Sequence, residues 1–145
     1  EERQWLSQLL DRRDGPLQAD VLQRCKMLAH EKLGPIRDGA ICAKARGEFE
    51  VIERDVIPKM RLSSNAATSD KIRGQELESA LGVRNLALLG RLLGTAAIRR
   101  EESRGAHYRL DYPEQDDKNW RIVTRLHMGQ DGETNFQTAP VKSHE

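Results

Sequence analysis

Aromatic residues make up only 4% of this 145-residue sequence, too few for a sandwich or barrel core, which draws on aromatic and β-branched side chains. Charge of one sign is also missing. Lys+Arg 24 against Asp+Glu 23 leaves +1, so no global field draws in nucleic acid, and none is expected as a partner. No run approaches the roughly 20 apolar residues that cross a bilayer, and Glu1-Glu2-Arg3 does not open a signal peptide. The expectation is a cytoplasmic chain without direct membrane insertion. Cysteine is limited to Cys25 and Cys42, outside any Cys-x-x-Cys pair, which suits small buried residues of a reducing compartment. His30, His107, His127 and His144 are scattered with no His-x-x-x-His, so no metal site is expected.

Also lacking are Gly-x-Gly-x-x-Gly, Gly-x-x-x-x-Gly-Lys-Ser/Thr and Gly-x-Ser-x-Gly. That removes the loops that cradle phosphates and the elbow that presents a serine nucleophile. Ser103 lies four residues before His107, but a serine near a helix end that satisfies backbone groups explains it better. The sequence therefore predicts no catalytic, cofactor-binding or metal-binding residue.

What is present is helical periodicity. Trp5, Leu6, Leu9 and Leu10 form one stripe that ends before Asp14-Gly15-Pro16. A second helix, capped by Asp20, carries Val21, Leu22, Cys25, Leu28 and Ala29 to Gly34-Pro35. From Asp38 the series Ile41, Ala45, Phe49, Ile52, Val56 predicts a third helix fading near Pro58. After a small polar loop, Ser63 to Ser69, a fourth helix begins between Asp70 and Glu76. It carries Leu77, Leu81, Leu86, Leu89, Leu92, Leu93, Ala96 and Ala97 to about Arg100. Gly82, Gly90 and Gly94 each cost about 1 kcal/mol in a helix interior relative to Ala, which points to close approach of a neighbouring helix. Trp120 to Leu126 alternates as a strand, Asp131-Gly132 reads as a hairpin turn, and Ala139 to Glu145 lacks periodicity. The predicted fold is all-α: a three-helix, spectrin-repeat-like bundle over residues 19–128, preceded by a short helix and linker (1–18) and followed by an irregular or β tail (129–145) that is partly disordered or ordered by a partner.

One segment is unlike a solvent loop. Glu102 to Asp117 gathers Arg104, His107, Arg109, Asp111, Asp116 and Asp117 around Gly105, Pro113, Tyr108 and Tyr112. Gly105 suits a positive-φ helix stop, the arginines offer forks for carboxylates, and the tyrosines offer packing area. Glu101, Glu102, Asp111 and Glu114 neutralise Arg99, Arg100, Arg104 and Arg109, so ion pairs rather than phosphate contacts are expected.

Glu102-Ser103-Arg104-Gly105-Ala106-His107-Tyr108-Arg109, then Asp111-Tyr112-Pro113 and Asp116-Asp117-Lys118-Asn119-Trp120, resemble the C-terminal signature of succinate dehydrogenase and fumarate reductase flavoprotein subunits. Gly34-Pro35-Ile36-Arg37-Asp38-Gly39 resembles that family's break before a long helix, and the likeness covers roughly 20–126. L-aspartate oxidase, a relative, carries a similar Glu-Ser-Arg-Gly and Asp-Tyr-Pro, while Asp-Asp-x-Asn-Trp favours the succinate/fumarate side. Gln115 stands where relatives commonly place an arginine. The resemblance implies a non-catalytic helical domain packed against an FAD-holding domain and a capping domain, with an iron–sulfur subunit as a further partner. The FAD and the chemistry then belong to the parent, and the chain alone is not expected to be active. Arg104, His107, Tyr108, Arg109, Asp111, Asp116 and Asp117 become candidates for a seam between domains, which in isolation is open to solvent or to a second copy. The same resemblance admits a place at the cytoplasmic face of a membrane through other subunits. A free-standing helical interaction module is the competing reading.

Overall fold

A computed structural model of the chain describes residues 2–64, 68–129 and 134–141. Helix α1 (Glu2–Asp11) sets Leu9 wholly inside the core, with Trp5 packed against it. The chain turns at Gly15, whose φ of 114° and missing side chain let it lie against the carbonyl of Lys59. Helix α2 (Gln18–Lys32) buries Val21, Cys25 and Leu28 as the periodicity predicts. Its start differs from expectation: Leu17 is the cap, with no side-chain hydrogen bond, and Asp20 lies inside the first turn, where a carboxylate favours the positive helix end without capping it.

Helix α3 (Gly39–Val51) is capped by Asp38, whose Oδ1 accepts from the amides of Ala40 at 2.8 Å and Ile41 at 3.2 Å. Ala45, Phe49 and Ile52 are fully buried, but Ile41 is 43% exposed and Cys42 takes its place in the core. The buried face is thus offset by one residue at its first turn. A π turn (Ile52–Val56) and a 3-10 turn (Ile57–Lys59) finish the helix, because Pro58 has no N–H for the next intrahelical bond. Of the loop predicted over Ser63 to Ser69, residues 65–67 lie outside the described residues.

Helix α4 (Asp70–Arg99) carries the main correction to the expected core. Its buried residues are Ala80, Val83, Ala87, Gly90, Gly94 and Ala97, whereas Leu89 and Leu93 are 61% and 42% exposed. Small side chains let α3 come close. A Cβ on Gly90 would collide with the ring of Phe49, and one on Gly94 would lie 3.2 Å from Cβ of Arg46. Gly82 meets nothing within 4 Å, so close approach explains two of the three glycines. By length and composition alone α4 could cross a bilayer, contrary to the sequence expectation. Its small-residue face, however, packs on α2 and α3, and Arg91 pairs with Glu53 at 2.5 Å.

The architecture is mostly helical, not all-α. Strand β1 (Ile36–Arg37), within the Gly34–Gly39 break, pairs in parallel with β2 (Tyr108–Arg109), in register Ile36 with Tyr108 and Arg37 with Arg109. After the single turn of α5 (Asp117–Trp120), β3 (Ile122–Met128) and β4 (Thr134–Pro140) pair antiparallel, Leu126 opposite Phe136. The predicted strand is β3. Ala139 and Pro140, expected to be irregular, extend β4, so the hairpin crosses the boundary placed at 129; the turn at Asp131-Gly132 lies outside the described residues. Arg99 covers the Phe136 ring at 4.6 Å and Arg91 donates to Thr134 Oγ1 at 3.1 Å, tying the hairpin to α4.

Candidate functional site

Helix α4 ends with carbonyls that no intrahelical amide can reach. Arg109 reaches back from β2 to take them. Its Nη1 donates to the carbonyls of Ala97 at 2.6 Å, Ile98 at 3.1 Å and Arg100 at 2.9 Å. Its Nε and Nη2 donate to Asp111 Oδ1 and Oδ2, both at 2.7 Å, and the residue is 2% exposed. Asp111 Oδ2 in turn accepts from the amide of Gly39, the first residue of α3, at 3.1 Å. One ion pair therefore sets a cation on the negative end of α4 and an anion on the positive end of α3. Gly39 must lack a side chain, since a Cβ there would lie 2.7 Å from Arg109 Nη2 and 2.8 Å from Asp111 Oδ2. The hydrogen bonds from Arg109 hold the Asp111 carboxyl down at about 2, against the opposing effect of burial, and the same bonds raise Arg109.

A second knot surrounds Glu102, which is fully buried. It is paired with Arg100, accepts from Arg104 Nε at 2.9 Å and Nη2 at 3.0 Å, and accepts from the amide of Asp116 at 2.9 Å. Burial alone would raise its carboxyl. The hydrogen bonds from Arg104 and Asp116, with the charges of Arg104 and Arg100, outweigh that and hold it below its ordinary value. Arg104 Nη2 also reaches Asp117 at 2.5 Å, and Asp116 caps α5 through the amide of Asn119 at 3.1 Å.

The third joint is His107. Its Nδ1 lies 2.6 Å from Nη1 of Arg37 and its Nε2 lies 3.2 Å from the carbonyl of Arg100. Arg104 and His107 close a turn with mutual backbone hydrogen bonds of 2.8 and 3.0 Å, and Gly105 supplies the φ of 57° inside it. That is a tight turn beyond the helix; α4 has already stopped at Arg99. Ser103 Oγ accepts from the amide of Arg109 and donates to the carbonyl of Tyr112, both at 2.8 Å, the backbone role expected of it. Gln115 Nε2 donates to Asp117 at 2.9 Å.

Of the seven seam candidates, Arg104, His107, Arg109, Asp111, Asp116 and Asp117 are thus drawn into one internal network. Tyr108 stands apart at 43% exposed, beside Ile36 at 67% and Leu110 at 59%, an apolar ridge on the outer face of the β1–β2 pair. Arg37 is the member that sequence reasoning did not place, whereas Arg100 and Glu102 were expected in ion pairs and are found in one. The only signal for Arg37 was its position in the Gly34–Gly39 break. The turn from β1 into α3 offers no phosphate cradle, since its amides are already taken by Asp38 and Asp111. Among the described residues no group of three His, Cys, Asp or Glu could hold a metal ion.

Residues 22–145 match the family described as fumarate reductase flavoprotein C-term. The chain is 31% identical over 103 residues to a fumarate reductase flavoprotein subunit of Helicobacter pylori, covering 70% of this chain and 13% of that one. A shorter stretch of 44 residues is 50% identical to an L-aspartate oxidase of Streptomyces coelicolor, covering 29% of this chain and 8% of that protein. Among solved structures it is similar to FrdA of E. coli quinol fumarate reductase, with TM-score 0.78 and 27% identity, covering 98% of this chain and 24% of the other. The chain therefore spans between about an eighth and a quarter of the length of these fumarate reductase relatives.

Proposed function

Because the chain belongs to the fumarate reductase flavoprotein C-terminal family, we propose that it is a non-catalytic helical domain that packs against the flavin-binding domain of a succinate/fumarate oxidoreductase. Helices α2, α3 and α4 then supply the three-helix, spectrin-repeat-like bundle of that domain. The observation that carries this reading is the closed network: Glu102, Arg104, His107, Arg109, Asp111, Asp116 and Asp117 are each engaged by a partner within the chain, which leaves none of them poised as a catalytic acid or base. FAD belongs to the parent; the residues present do not fit it, for the amides at the start of α3 are occupied and no glycine-rich loop precedes that helix. Seam contacts fall to the apolar ridge of Ile36, Tyr108 and Leu110 beside the network, and to Leu89 and Leu93 on the outer face of α4. A capping domain and an iron–sulfur subunit complete the assembly, at the cytoplasmic side of a membrane. An L-aspartate oxidase-type parent is the second reading, favoured by the 50% identical stretch; Asp116-Asp117-Lys118-Asn119-Trp120 favours the first.

The test is reconstitution. Chain added to a parent flavoprotein truncated of this segment should bind it, and Ile36→Asp with Leu110→Asp should weaken binding by about tenfold or more, as loss of a buried apolar contact does. The chain's own unfolding should be unchanged. Fumarate reduction by the purified chain with FAD and a reduced viologen would contradict a non-catalytic domain.

A further inference from the structure

We propose that His107 is an acid-sensitive latch, a neutral imidazole that joins β1, β2 and the end of α4 and lets go when it takes up a proton. A guanidinium only donates, so the nitrogen 2.6 Å from Arg37 Nη1 must offer a lone pair. The ring proton is then on Nε2, donated to the carbonyl of Arg100 at 3.2 Å. Arg37 cannot simply turn away, since its Nε is held by the carbonyl of Gly34 at 2.7 Å.

The charges facing the ring are Arg37 on β1, Arg109 on β2 and Arg100 at the end of α4. The nearby acids are committed elsewhere: Glu102 to Arg100 and Arg104, Asp111 to Arg109, and Asp38 to the start of α3. On α3, Cys42 senses the same charges of Arg37 and Arg109, and burial keeps its thiol protonated. Among the described residues no carboxylate pairs with His107. Proton uptake would remove the acceptor for Arg37 and place a fourth cation among three. Burial, joined by the three guanidinium charges, pushes His107 below its ordinary value, and the Arg100 carbonyl opposes this only in part. Stability from the neutral ring is therefore complete above the free imidazole value and is lost as pH falls below it.

The latch holds the hydrogen bonds from Tyr108 to Pro35 at 2.9 Å and from Leu110 to Arg37 at 2.8 Å, which present the apolar ridge. It stands on the geometry of this chain alone, whether or not the ridge docks as proposed above. Amide exchange of Tyr108 and Leu110, corrected for intrinsic rates, should quicken by up to about 30-fold between about pH 7.5 and about pH 5, the ceiling when only the open form binds the proton. In His107→Asn, whose carbonyl can still accept from Arg37 but does not titrate, the acid effect should vanish. In Arg37→Gln, NMR titration of the His107 ring should move to higher pH than in the parent chain; this arm serves if His107→Asn fails to fold. A His107 that titrates at or above the free imidazole value, with exchange independent of acid, overturns the latch, as does a titration unmoved by Arg37→Gln.

Discussion

Replacing Arg109 by methionine should destabilise the chain by about 3–5 kcal/mol, the cost of breaking a buried ion pair from one side. The carbonyls of Ala97 and Ile98 at the end of α4 lose this donor at once, that of Arg100 keeps only His107, and Asp111 is left on the start of α3 without its counter-ion. Methionine fills much of the space yet offers no donor, so the volume is kept and the polar accounting fails. Lysine at 109 should recover only part of the loss. Its single ammonium can serve the carbonyls or Asp111, but cannot reproduce the planar fork that serves both. For a domain whose whole stability is about 5–15 kcal/mol, this is a large fraction, and chemical denaturation of Arg109→Met against the parent chain measures it. Adding Asp111→Asn should not restore stability, because the orphaned carbonyls remain; full recovery in the double variant would show that the ion pair, and not the helix end, was the important element.

Glu102→Gln should be nearly as severe, about 3–5 kcal/mol, although the shape is preserved. The carboxylate at that position is fully buried and answers Arg100, Arg104 and the Asp116 amide. A neutral amide must turn an NH2 toward a guanidinium or an N–H. At roughly 2–4 °C for each kcal/mol, the melting point of a domain of this size should fall by about 10 °C. The parent chain should show the same dependence through acid. Because the folded carboxyl lies below its ordinary value, the stability it contributes is present above the unfolded glutamate value of about 4.3 and is lost as pH falls through the folded one. Glu102→Gln should flatten that part of the stability–pH curve, as calorimetry across pH would record.

The helices were legible because periodicity records burial. Asp38 and Asp70 mark starts that the sequence could name, and Gly34-Pro35 marks a stop. The face of α4 was not legible in the same way. Leu89 and Leu93 satisfy a helical stripe as well as Ala87, Gly90 and Gly94 do, and hydrophobicity alone favours the leucines. What decides is the distance between α3 and α4, which the ring of Phe49 against Gly90 sets and no local pattern encodes. The signature segment divides similarly. Its charges announced ion pairs, and Arg104 with Glu102 and Arg109 with Asp111, each two residues apart, could be guessed. The partners that turn those pairs into a joint come from far along the chain: Gly39 is 72 residues from Asp111, and Arg37 is 70 from His107. β1 was invisible because two residues carry no alternation, so the meeting of the two stretches that resemble the flavoprotein family depended on the tertiary fold. Family membership, by contrast, rested on residue identities and was readable at once.

The central claim is that the signature is a self-sufficient joint within the domain, with the apolar ridge of Ile36, Tyr108 and Leu110 left on its outer face. Amide hydrogen exchange on the isolated chain at neutral pH tests this most directly. The amides of Arg104, Tyr108 and Leu110, which donate to His107, Pro35 and Arg37 at 2.8, 2.9 and 2.8 Å, should be protected by about a thousandfold or more, approaching the slowest amides of α3 and α4. Exchange of these three at the rate of a free peptide, with α3 and α4 still protected, would mean that the segment orders only on a partner surface and would contradict the account.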